Sequence, residues 1–95
     1  MNNIIILLSS STSAARLKNS IINAGFEASV IGTPTLLSRG GCNYSVLTTA
    51  SALKYAEETL ARLEIKYRGI YLDTGIHGSS RYRELSPGGR KNDIS

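Results

Sequence analysis

Five consecutive large apolar residues, Ile4-Ile5-Ile6-Leu7-Leu8, decide most of what this chain can become. The run has the length of a strand and opens on β-branched side chains, which suit a pleated surface. It does not alternate with polar residues, so both of its faces must be covered and its place is central in a sheet. It falls far short of the roughly 20 residues that cross a bilayer. Met1-Asn2-Asn3 ahead of it lacks the basic flank and cleavage site of a secretory leader. The expectation is a cytoplasmic protein without a membrane segment.

The residues that follow supply the punctuation of a helix. Ser9-Ser10-Ser11-Thr12-Ser13 offers several N-caps, and Ala14, Leu17, Ile21 and Ala24 recur at helical spacing. Gly25 stands where a C-cap needs the left-handed conformation. Phe26 to Ile31 reads as a second strand, half polar as an edge strand would be. Gly32-Thr33-Pro34 ends it, because proline cannot donate to a ladder. Asn43 to Leu47 is the third strand. Thr48 or Thr49 caps a helix over 50–64, with Leu53, Ala56, Leu60 and Leu63 on one stripe. Lys66 to Leu72 is the fourth strand, with Ile70 and Leu72 on one face and Tyr67 and Tyr71 on the other.

This β-α-β-β-α-β order predicts an α+β fold of the ferredoxin-like split βαβ kind. Right-handed crossovers then give a four-stranded antiparallel sheet of order 4-1-3-2 with both helices on one face. The other face is left open, to be covered by a homodimer partner or by the tail. With 95 residues the chain makes one domain, expected over residues 1–73. From Thr74 to Ser95, Gly and Ser interleave with charges, which predicts a flexible basic tail.

The only cysteine, Cys42, sits in the loop between strands two and three, after Arg39, Gly40 and Gly41. The topology puts that hairpin at the same end of the sheet as the start of helix one. There, unpaired amides and the hydroxyls of Ser10, Thr12 and Ser13, together with Arg39, would lower the thiol pKa and raise the thiolate fraction. Gly40 and Gly41 would let a partner approach closely. The competing reading is that Cys42 is a small buried hydrophobe. His77, the only histidine, is expected at the opposite end of the sheet, so neither a Cys–His nucleophile pair nor a metal site is expected. No cofactor is expected either.

The net charge of +4 divides evenly between the expected domain and the tail, and no helix carries a basic stripe. A nucleic-acid function is therefore not expected. Strand one holds no aromatic residue on which RNA bases would stack, and strand three holds only Tyr44.

Leu8-Ser9-Ser10-Ser11-Thr12, Asn23-Ala24-Gly25, Thr33-Pro34, Leu37-Ser38, Gly41-Cys42 and Arg68-Gly69-Ile70-Tyr71 resemble the selenium/sulfur (Se/S) carrier protein-like family. These are small single-domain bacterial proteins of largely unknown function, and the resemblance spans residues 4–73. It implies that Cys42 accepts sulfur or selenium as a persulfide or its selenium counterpart and passes it to a partner protein. The chain would be a carrier and not an enzyme. Two departures stand out: Asn43 follows the cysteine where the family has glycine, and the run from Pro34 to Cys42 is about one residue longer than usual. Asparagine is the residue best able to replace glycine at positive φ. The alternative from another class is a non-catalytic interaction or dimerisation module with a structural Cys42.

Overall fold

The computed structural model describes residues 3–37, 44–75 and 81–86. Its elements are β1 (Asn3–Leu8), α1 (Ser11–Asn23), β2 (Ala28–Gly32), a 3-10 turn (Thr35–Leu37) and β3 (Tyr44–Thr49). A second 3-10 turn (Ala50–Ala52), α2 (Leu53–Arg62), β4 (Gly69–Asp73) and β5 (Tyr82–Ser86) follow. The strands form one antiparallel sheet in the order β2-β3-β1-β4-β5.

The expected four-stranded 4-1-3-2 sheet is thereby corrected in strand count and order. Read from the β5 edge, β4, β1, β3 and β2 keep the expected succession, and β5 is added outside β4. Residues 82–86 fall in the stretch expected to drape as a tail. They pair instead with β4, because backbone hydrogen bonding to an open edge does not need an apolar strand.

β1 is central, with all of Ile4 to Leu8 buried. Its alternation between faces divides the interior in two. Ile4, Ile6 and Leu8 join Ala14, Leu17 and Ile21 of α1, Ala56 and Leu60 of α2, Val46 and Ile70 in one core. Both helices therefore cover the same face. Each large aliphatic residue moved out of water there contributes about 1.5–3 kcal/mol before the entropy of ordering is subtracted. Ile5 and Leu7 point to the other face, where Leu37 closes a smaller cluster with Leu47, Tyr71 and Tyr82 packed against it. This face was expected to be open. Its centre is covered within one chain, partly by Tyr82, a residue of the expected tail.

α1 begins at Ser10, whose hydroxyl accepts the Ser13 amide, and ends before Gly25, which takes φ 98°. α2 differs from expectation at its start. Thr49 makes no side-chain cap, and the 3-10 turn leads the chain into the helix. The Thr49 hydroxyl meets that of Ser51, while Thr48 donates to the Glu27 carbonyl. α2 stops at Arg62, and Glu64, at φ 56°, turns the chain away. Tyr67 precedes β4 and packs on the helix-side core, not beside Tyr71. Between the helices, the Ser20 and Tyr55 hydroxyls lie 3.1 Å apart.

Among the described residues no helix is long and apolar enough to cross a membrane.

Candidate functional site

The candidate site lies at the end of the sheet where β1 and β2 finish and β3 and β4 begin. Tyr44 is paired with both Leu8 and Gly32, and Gly69 with Leu7. The Arg68 amide donates to the Leu7 carbonyl at 2.8 Å, extending the ladder by one residue. Alternate strand directions bring to this one end the Ser9–Ser13 stretch, Thr33, the start of β3 and the turn after α2. From the sequence, Ser9–Ser13, the start of the hairpin and the turn after α2 are expected at this end; the place expected for Arg39 and Cys42 beside them lies outside the described residues.

Ser10 serves as the N-cap of α1. Its Oγ accepts from the Ser13 amide at 3.1 Å, and its carbonyl accepts from Ala14. The Ser10 hydroxyl is thus committed to the helix, so its immediate role is to fix where α1 starts. Ser11 and Thr12 are exposed and Ser13 is half-buried. No acidic residue stands in the first turn to offset the partial positive charge of the helix start.

The chain leaves β2 through Thr33, whose hydroxyl lies 2.8 Å from that of the fully buried Ser45 on β3. Pro34 then opens the 3-10 turn, and its carbonyl accepts the Leu37 amide at 2.9 Å. Leu37 is buried against Ile5 and Leu7. The approach to the cysteine is therefore fastened at two places, by a polar pair at Thr33 and by an apolar anchor at Leu37. The apolar residue type at position 37, in a segment without a repeating pattern, was the only sequence signal for that anchor. The Thr33–Ser45 pair had no signal in the sequence, because serine in a strand reads equally as surface.

Arg39, Gly40, Gly41 and Cys42 lie outside the described residues, as does His77. The described structure places Ser10, Thr12 and Ser13 at the start of α1, Thr33 directly after β2 and Tyr44 at the start of β3, all at this end of the sheet.

A charged constellation occupies the opposite end of the sheet. Asp73 accepts from Arg81 Nε at 3.0 Å and from Arg81 Nη2 at 3.2 Å, and its Oδ1 also accepts the Gly75 amide. The Arg81 guanidinium hydrogen bonds foremost, with the Gly75 amide adding to them, hold the Asp73 carboxyl below its ordinary range. The amide and hydroxyl of Thr74 both donate to the Arg81 carbonyl, so the clasp is built from backbone and side chain together. It closes the β4–β5 connection, at the end of the sheet away from Ser10, Thr33 and Tyr44.

A family model described as "Putative Se/S carrier protein-like" matches residues 3–72. The chain belongs to that family. The match includes Cys42 and the described residues at this end of the sheet, from Ser10 to Gly69. It ends before β5, so the Se/S carrier-like part of this chain is the β-α-β-β-α-β unit, and the Asp73–Arg81 clasp joins β5 to it. No curated protein and no solved structure matches the chain.

Proposed function

We propose that this chain is a sulfur or selenium carrier that holds the atom on Cys42 and hands it to a partner protein. The support is the family match across 3–72 together with the end of the sheet on which the loop is mounted. Cys42 precedes Tyr44 by two residues, so covalent connection tethers it to the end where α1 begins with no acidic residue in its first turn. An electropositive helix start favours a thiolate, the form that reacts.

The transfer needs no outside oxidant. The Cys42 thiolate attacks the terminal sulfur of a donor persulfide, the donor S–S bond breaks, and the donor leaves as a thiolate. Cys42 then carries the S–SH group, whose outer sulfur is attacked in turn by a thiolate of the recipient. In this reading Arg39 balances the anionic sulfur, and Gly40 and Gly41 leave room for the partner. The protein is consumed and regenerated as a carrier, without turnover of its own, in the cytoplasm. The donor and the recipient are the partners this chemistry requires.

The test is intact-mass analysis after incubation with a persulfide-generating desulfurase. Wild type is expected to gain about 32 Da, removable by thiol reductant, and Cys42→Ala to gain nothing. A folded wild-type protein that stays unlabelled while a control carrier is loaded would overturn the proposal. It would leave the interaction-module reading, in which Cys42 is structural.

A further inference from the structure

The two edges of the sheet are not alike. β5 carries exposed Arg83 and Glu84, and its pairing with β4 is broken by an irregularity between Ile70 and Tyr71. Charges and bulges are the devices that keep an edge strand from pairing with another chain. β2 has neither. Its residues are Ala28, Ser29, Val30, Ile31 and Gly32, without a charge or a proline, and it pairs with β3 without a register shift.

The large apolar residues left in water gather on the same side. Four are exposed among the described residues: Ile22 at 45%, and Val30, Tyr44 and Leu85 at 39% each. Val30 lies on β2 itself. Tyr44 is the partner of Gly32, which has no side chain to cover it. Ile22 is placed by the turn of the helix. Ser20 faces α2, where its hydroxyl meets Tyr55. Two residues further, about 200° around the axis, Ile22 faces the opposite flank, and α1 has β2 on that flank. Three of the four exposed apolar residues therefore border the undefended edge.

We propose that the β2 edge is a homodimer interface, in which two copies pair antiparallel through Ala28–Gly32 about a two-fold axis at Val30. A second copy fits because the strand is complementary to itself. About that axis Val30 meets Val30, Ser29 meets Ile31 and Ala28 meets Gly32, so no like charges are opposed and small residues face small ones. The axis stands normal to the sheet, so both α1 helices remain on one face. The two Ile22 side chains then flank the seam from above and remove apolar surface that each copy leaves wet. This contact is distinct from the sheet face, whose centre Leu37 and Tyr82 already cover.

The test is sedimentation equilibrium of the full chain under reductant, so that no Cys42–Cys42 disulfide imitates the contact. Wild type is expected to rise from 10.2 kDa toward twice that mass between about 1 μM and about 1 mM. Val30→Lys places two like charges at the axis and is expected to weaken association at least about 10-fold. Leu85→Lys, on the defended side, is expected to change nothing. Circular dichroism checks that each variant is folded, and Ile22→Glu decides if Val30→Lys is not. A wild type that stays monomeric throughout overturns the proposal. So does a dimer that survives the folded β2-side variants, or one abolished by Leu85→Lys.

Discussion

The two faces of the sheet are built on different principles. On the helix side, β1, β3, β4 and both helices contribute to one core, and Ile4, Ile6 and Leu8 have neighbours from every direction. On the other side, Ile5 and Leu7 are nearly as well hidden, among the described residues by Leu37 of a 3-10 turn and by side chains of the sheet itself. The first face makes the fold. The second is a patch laid over an already formed sheet, and its covering residues belong to the approach to the cysteine loop and to β5. The face that does less for stability is therefore the one tied to the loop proposed to carry function.

The largest expected effect tests that difference directly. Ile6→Ala empties a site enclosed by two helices and a sheet, and should cost about 4 kcal/mol in urea unfolding. Leu7→Ala, one residue along the same strand, should cost about 2 kcal/mol, because the thin cover over it can settle into the space. Equal losses would break the comparison and show the second face packed as rigidly as the first.

Most of the helix face was legible in the sequence, since its signals are periodic. The unbroken run Ile4–Leu8 required two covered faces, the spacing of Ala14, Leu17 and Ile21 gave the buried side of α1, and Gly25 marked its end. The second face was not legible, for a physical reason. Its cover comes from Leu37 in a loop and Tyr82 in a charged strand, and neither belongs to a repeating pattern. β5 reads Tyr82-Arg83-Glu84-Leu85-Ser86, with too few apolar residues to announce a strand. What fixes it is the Asp73–Arg81 clasp, visible in the sequence only as two charges eight residues apart. Of the candidate site, the end of the sheet could be deduced from topology, while residue type left Ser10 as one of several caps between Ser9 and Ser13. The Thr33–Ser45 pair depends on register, which composition does not encode.

A smaller effect follows from that clasp. Asp73 holds Arg81, whose guanidinium also lies 5.3 Å from the centre of the Tyr82 ring, and Tyr82 packs on the second face. The Asp73 carboxyl is depressed when folded, so its contribution is complete above the unfolded value near about 3.9. It is lost as pH falls through the lower folded value. Arg81 is partly in water, which screens the pair, so Asp73→Asn should cost about 1 kcal/mol at pH 7. The same substitution should flatten the acid limb of the stability curve. Amide exchange should locate the loss in β5 and leave β1 and β3 protected. Uniform loosening across the sheet would mean that the clasp supports the whole fold and not one face.

A stability effect of similar size should carry the clearest functional consequence. Leu37 lies five residues before Cys42 and packs in the second cluster. Leu37→Ala removes an anchor at the margin of the protein, where the remaining side chains can close up, and should cost about 1 kcal/mol or slightly more, below the usual range for a buried leucine. The same substitution frees the start of the loop from the sheet while Tyr44 still holds its end. If the end of the sheet is what tunes the thiol, the reactivity of Cys42 toward a thiol probe should lose its pH dependence near neutrality and shift toward that of an unperturbed cysteine, about pH 8.5. Leu7→Ala, which costs more stability but leaves Leu37 in place, should shift it less. A Cys42 titration that tracks stability across these variants, instead of following the anchor, would separate the loop from the second face and end the link drawn between them.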